Sequence, residues 1–261
     1  MRRPPQARIR SLGARIRHPL WWLPDPALEQ DEAYRRVWQN LRQVTEVRDG
    51  RHDGPEWRSH EGRFALCCVR VPTEKLSHEL AGLRSALAAF PFVRLHPDAF
   101  LHIPIQELGF VTGSPEQRDE LTPARLQEFI GMAEHPIVDF PRFEIALGGV
   151  NSFIDAAFLD VHDGGWLSRI HRRLLDFVVI PPDSHFPFLP HVTIAHYTKA
   201  APVGNLPAIL ADWRDRTFGS FEATHVEIVL LDTSVPYPEL ETVHAFELGA
   251  RSRSMLTVTG T

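Results

Sequence analysis

Leu189-Pro190-His191-Val192-Thr193-Ile194-Ala195-His196-Tyr197 is the stretch on which the reading of this chain turns. Its aliphatic and β-branched residues mark a strand. Residues i and i+2 of a strand share a face. His191 and Thr193 are therefore expected on one face, with Val192 and Ile194 in apolar packing on the other. By the same count His196 falls opposite His191 and reads as structural. An imidazole beside a hydroxyl is half of a site that handles phosphate, so the rest of the chain must supply the other half.

The surroundings of this strand occur twice. Residues 156–161 (AAFLDV) form a strand, residues 165–178 a helix with Leu167, Ile170, Leu174 and Leu175 on its apolar face, and residues 181–187 a loop into the opening strand. A helix over 206–216 and strands over 224–231 and 241–248 follow. Earlier in the chain, residues 64–71 form a strand and residues 74–89 a helix capped by Thr73. A loop over 91–99 leads to a strand over 101–108, then to a helix opened by Thr122-Pro123 and running to about 134, and to a strand over 143–150. Each half thus reads strand–helix–strand–helix–strand, a duplication of pattern rather than of identity. From Phe64 to His102 is 38 residues, and from Ala156 to His191 is 35. His102 therefore corresponds to His191. If the halves pack about a pseudo-twofold axis, both imidazoles enter one cleft. One can take a proton from a nucleophile while the other protonates a leaving oxygen. Thr193 can hydrogen-bond a phosphate oxygen, and Gln106, on the same face as His102 by alternation, is the candidate donor of the first half. Pro104, two residues after His102, has neither hydroxyl nor N–H, and a proline in a strand predicts a bulge.

With 261 residues and a net charge of -5, the chain suits one large domain or two small lobes and argues against a broad nucleic-acid coat. Adjacent Cys67 and Cys68 point to opposite faces of a strand and read as buried thiols. Neither Cys nor His has zinc spacing, so no metal and no cofactor is expected. His96-Pro97-Asp98 and His162-Asp163 lack further ligands in sequence. The Leu20–Leu23 run is too short for a signal core and no stretch approaches a membrane span, which reads as a cytoplasmic protein. Residues 1 to about 24 are an Arg- and Pro-rich tail; residues 27–46 have helical apolar spacing, and residues 48–62 suit a linker. Phe110 and Tyr197 are candidates for stacking on a base, and Arg142 and Lys199 read as surface cations.

Taken together, His191-Val192-Thr193-Ile194 with its Phe186–Pro190 run-in, His102-Ile103-Pro104-Ile105 followed by Glu107-Leu108-Gly109, and the Gly149–Phe153 turn resemble the 2H phosphoesterases. That superfamily includes the bacterial 2′-5′ RNA ligases and RNA 2′,3′-cyclic phosphodiesterases. The resemblance implies an α+β, bilobed, duplicated β-α-β-α-β fold with a central cleft and, here, an N-terminal helical extension. Residues 1–60 would be the tail and helix, and 61–261 the phosphoesterase domain, with intertwined lobes of about 63–152 and 153–248. It further implies His102 and His191 as the acid–base pair and Thr193 as phosphate ligand. The expected partner is an RNA end or a cyclic nucleotide, bound by a monomer with no membrane attachment. The activity implied is metal-independent opening of 2′,3′-cyclic phosphates, with reversible 2′-5′ ligation as a further capacity. Pro104 stands where the family has Thr or Ser, and motivates an alternative: a nucleotide or RNA-end binding protein with weakened turnover. In a third reading the N-terminal helix recruits a partner and the lobes are a scaffold.

Overall fold

The computed structural model describes residues 25–178, 180 and 187–250. The Arg- and Pro-rich tail, the loop over 181–186 with Phe186, and residues 251–261 lie outside the described residues.

In chain order the elements are α1 (Pro26–Leu41), β1 (Glu46–Val47), α2 (Pro55–Arg58), β2 (Arg63–Arg70), α3 (Glu79–Leu87), β3 (Val93–Leu95), β4 (His102–Val111), β5 (Glu120–Leu121), α4 (Pro123–Val138), β6 (Phe143–Ser152), β7 (Ala156–His162), α5 (Trp166–Leu174), β8 (His191–Tyr197), β9 (Ala201–Pro202), α6 (Leu206–Ala211), β10 (Thr217–Ala223), β11 (His225–Leu231) and β12 (Glu241–Glu247). Two five-stranded sheets dominate, in the orders β12-β11-β2-β4-β5 and β10-β6-β7-β8-β3. Every pairing in them is antiparallel except β4 with β5. The two histidine strands, β4 and β8, belong to different sheets and both line the cleft between them.

The halves of the sequence exchange strands. β6 closes the first half in sequence yet lies in the second sheet, because the short turn at residues 153–155 makes it a hairpin with β7, and hairpin partners share a sheet. β11 returns to the first sheet beside β2.

Local differences from the sequence reading have local causes. Thr73 starts a 3₁₀ turn rather than capping α3. The Ser77 N–H is drawn to the Phe218 carbonyl at 2.9 Å, and Leu76 bridges to Gly219, so α3 begins only at Glu79. β10 went unpredicted, and its pairing on β6 cuts the helix expected over 206–216 short at Ala211. In α4 the Thr122 hydroxyl accepts from the Arg125 N–H at 3.2 Å, the expected cap with Pro123 at the first position. Gly149–Ser152 belongs to β6 rather than to a turn; Gly149 has φ +73° at a register shift. Cys67 and Cys68 are buried free thiols.

The N-terminal extension is docked. Asp25 caps α1, accepting from the Ala27 N–H at 3.1 Å. Tyr34 is buried; its hydroxyl accepts from the Val161 N–H at 3.0 Å and reaches the carbonyls of Val161 and Pro190. Pro190 immediately precedes His191, so α1 helps to hold the start of β8. Tyr34→Phe strands the buried Val161 N–H and is expected to lower stability by about 1–3 kcal/mol. An unchanged urea midpoint would show that water replaces the hydroxyl. The stretch expected as a linker is pinned: Glu46 and Val47 pair with β9, Arg48 N–H bonds Ile154 O at 2.8 Å, and Gly50 N–H bonds Tyr197 O at 2.9 Å.

Candidate active site

Both histidine strands carry a bulge at the same place relative to the histidine. In β4, Cys67 opposes Gln106 and Cys68 opposes Pro104, which leaves Ile105 as the extra residue. In β8, Ala157 opposes Ala195 and Phe158 opposes Thr193, which leaves Ile194 as the extra residue. A bulge breaks the two-residue alternation. Positions i, i+2 and i+5 therefore face the cleft in both halves: His102, Pro104 and Glu107 from one sheet, His191, Thr193 and His196 from the other.

Two sequence expectations are corrected by this shift. Gln106 does not join His102 in the cleft. It is buried on the far face, where its Nε2 donates to the Glu107 carbonyl at 2.8 Å. Its place on the cleft face is taken by Glu107, which simple alternation had turned away. His196, expected opposite His191, lines the cleft with it. The bulge anticipated from Pro104 is present, one residue later.

The two principal imidazoles are held alike. His102 Nδ1 lies 2.7 Å from Phe100 O, and His191 Nδ1 lies 2.8 Å from Leu189 O, each the carbonyl two residues upstream. A carbonyl can only accept, so Nδ1 carries the proton in each ring. Each Nε2 is then the titrating nitrogen. Burial lowers both pKa values: His102 falls to about 4, with the charges of His191 and His52 adding to burial, and His191 falls from its ordinary value. The hydrogen bonds to Phe100 and Leu189 oppose burial in each case. Thr193, half-buried, lines the same cleft.

Phe110 and Tyr197 do not reach the cleft. Phe110 is buried in a small apolar cluster and stacks on His60, with centroids 3.8 Å apart. Tyr197 is fully buried, and its hydroxyl meets Ser152 Oγ at 2.6 Å. Tyr197 lies past the β8 bulge, which turns it from the cleft, whereas a second register shift in β4 leaves Phe110 on the face of Phe64 but beyond the end of the cavity. Arg142 pairs with Glu247 at 2.8 Å and Lys199 is exposed outside the cleft.

The sequence reading missed the rest of the wall. The cavity holds about 430 Å³. Arg51, His52, Asp53 and Trp57 of the N-terminal segment line it, with Arg94 and Tyr237. Arg94 bonds Asp53 at 3.1–3.2 Å, and Arg51 bonds Asp49 at 2.6 Å. Behind His102 and His191, His96 Nε2 meets His196 Nδ1 at 3.1 Å, both rings buried. Among the described residues, no three His, Cys, Asp or Glu side chains gather as metal ligands, and no helix is long and apolar enough to cross a membrane.

Two sheets that each present a bulged His strand to one shared cleft define a two-histidine phosphoester-handling protein. The family model of the 2′-5′ RNA ligase superfamily matches residues 72–234, more than half of the chain, and the protein belongs to that superfamily, the 2H phosphoesterases. Membership places it among enzymes that act on phosphodiester bonds. The crystal structure of TT0787 of Thermus thermophilus superposes with a TM-score of 0.50 at 20% identity, covering 71% of this chain and 98% of that one. E. coli LigT complexed with NADP+ matches at 15% identity and TM-score 0.49, over 72% and 99%. No curated protein matches the sequence.

Proposed function

We propose that the protein hydrolyses 2′,3′-cyclic phosphates, at an RNA end or on a small nucleotide, by proton transfers between His102 and His191. The observation that carries this reading is the matched fixing of both Nδ1 atoms to main-chain carbonyls, which leaves two Nε2 atoms for the cleft. One Nε2 takes the proton from an attacking water. The new P–O bond forms as the P–O bond to the 2′ or 3′ oxygen breaks, and the other Nε2 protonates that leaving oxygen. Thr193 donates to a nonbridging oxygen. Neither proton transfer requires a metal, so EDTA is expected to leave the rate unchanged. With an RNA 5′-hydroxyl in place of water, the same ring opening forms the bond from phosphorus to the 5′ oxygen as the bond to the 3′ oxygen breaks, which leaves a 2′-5′ linkage. Assay of the purified protein on a panel of cyclic phosphodiesters, with and without EDTA, tests the reading. Turnover of none of them would refute it.

Pro104 supports a second reading, a binding protein of weakened turnover, because the first half-site presents a ring where the second presents a hydroxyl. A hydrogen bond to a charged group contributes about 1.5–3 kcal/mol. Pro104→Thr is therefore expected to raise kcat/KM by roughly 10- to 150-fold. A variant no faster than the parent would show that the first half-site works without the hydroxyl.

A further inference from the structure

The catalytic strands lie inside the segment that matches the family; one end of the cavity does not. Arg51, His52, Asp53 and Trp57 precede residue 72, and Tyr237 follows residue 234, yet all five line the cavity. Their placement is built. Gly50 packs so closely on Asp155 that a Cβ would lie 2.6 Å from its carbonyl oxygen, and its N–H is bonded to Tyr197 O. Asp53 ties the segment to Arg94 of β3, and Arg94 in turn lies over the Tyr237 ring at 6.0 Å. On this frame His52 is exposed, its ring 4.7 Å from Trp57 and 4.8 Å from His196.

We infer that this wall is the base-recognition site, with His52 and Trp57 as the stacking platform, and that the substrate is a single nucleotide unit carrying one phosphodiester charge. The inference rests on the proposed function and adds the substrate's form. Volume and charge both support it. A cavity of about 430 Å³ has room for one nucleotide and little more. Its charged lining is Arg51 and Arg94 against Asp53, Glu107 and Asp155, so with neutral histidines it offers no surplus of cations. A polynucleotide backbone or a polyphosphate needs such a surplus; a neutral base with one diester anion does not. Aromatic rings without a base-specific hydrogen-bonding set accept any base by stacking.

The test compares a nucleoside 2′,3′-cyclic phosphate with glycerol 1,2-cyclic phosphate, which has the same reacting ring and no base. Stacking on one side chain is expected to be lost in His52→Ala, lowering kcat/KM for the nucleotide about 5- to 150-fold more than for the glycerol ester. His52 is exposed, so the variant is expected to fold, and circular dichroism checks this. Equal effects on the two substrates overturn the inference. Hydrolysis of neither by the parent protein refutes the functional reading instead. The wall is then judged by tryptophan fluorescence on titration with adenosine 2′-monophosphate. Weaker binding by His52→Ala supports the wall; equal binding, or no binding by the parent, overturns it.

Discussion

His191→Ala is expected to slow cyclic-phosphate hydrolysis by about 10²- to 10⁴-fold, the range that positioned general acid–base groups supply. His102→Ala is expected to do the same. The two act on one concerted displacement, so the double variant should be little worse than either single one. A strictly additive double variant would argue that each histidine serves a separate step. The pH profile follows from the same geometry. One imidazole must be neutral and the other protonated, which makes kcat/KM bell-shaped. Both folded values lie below the ordinary 6.5, His102 at about 4. Both limbs therefore shift to the acid side, and the free enzyme's kcat/KM is expected to peak below about pH 6.5, the ordinary histidine value. A bound phosphodiester anion favours the protonated rings, so the kcat profile should sit closer to neutrality. A kcat/KM optimum above about pH 7 would contradict these environments.

The second large effect is on stability. His96 and His196 are buried against each other, and the groups that reach them are His52, His102, His191, Arg84 and Arg94, none of them acidic. The nearby carboxylate of Asp53 is paired with Arg94. Burial first, then these charges, lowers His196 to about 3 and His96 well below its usual value. Folded values lie below unfolded ones, so the unfolded chain binds more protons beneath about pH 6.5. The contribution of His196 is then full above about pH 6.5 and falls as pH drops toward about 3, by about 1.4 kcal/mol per pH unit, and His96 acts in the same direction. By about pH 4.5 His196 alone removes about 2.7 kcal/mol, a sizeable part of the roughly 5–15 kcal/mol that holds a typical domain, and His96 adds to it in the same direction. Urea midpoints between about pH 7 and 4.5 measure the slope. A dependence of less than about one proton near pH 5 would mean that the pair opens and is hydrated.

The two histidines that the cleft brings together were legible because their signals are local. His102 and His191 each open an aliphatic strand at corresponding points of a duplicated pattern, and strand alternation placed Thr193 beside His191. Gln106, His196 and Tyr197 were misplaced for a single reason. Each lies beyond a bulge, and one extra residue inverts every face after it. Pro104 was the one sequence cue to a bulge, and nothing in the Thr193-Ile194-Ala195 run offers an equivalent. β10 was overlooked because Gly219 and Ser220 interrupt its pattern; its strand character comes from pairing with β6.

The sequence by itself determined the two half-sites, the order of elements and the asymmetry of Pro104 against Thr193, since these depend on residue type and on spacing of a few positions. The tertiary structure alone decided that Glu107 and His196 share the cleft faces with the two histidines, that α1 braces β8, and that Arg51, His52, Asp53 and Trp57 wall the cavity. A bulge exists only in the register between two strands, and a wall only in contacts between segments far apart in the chain. Neither leaves a periodic trace in the chain that carries it.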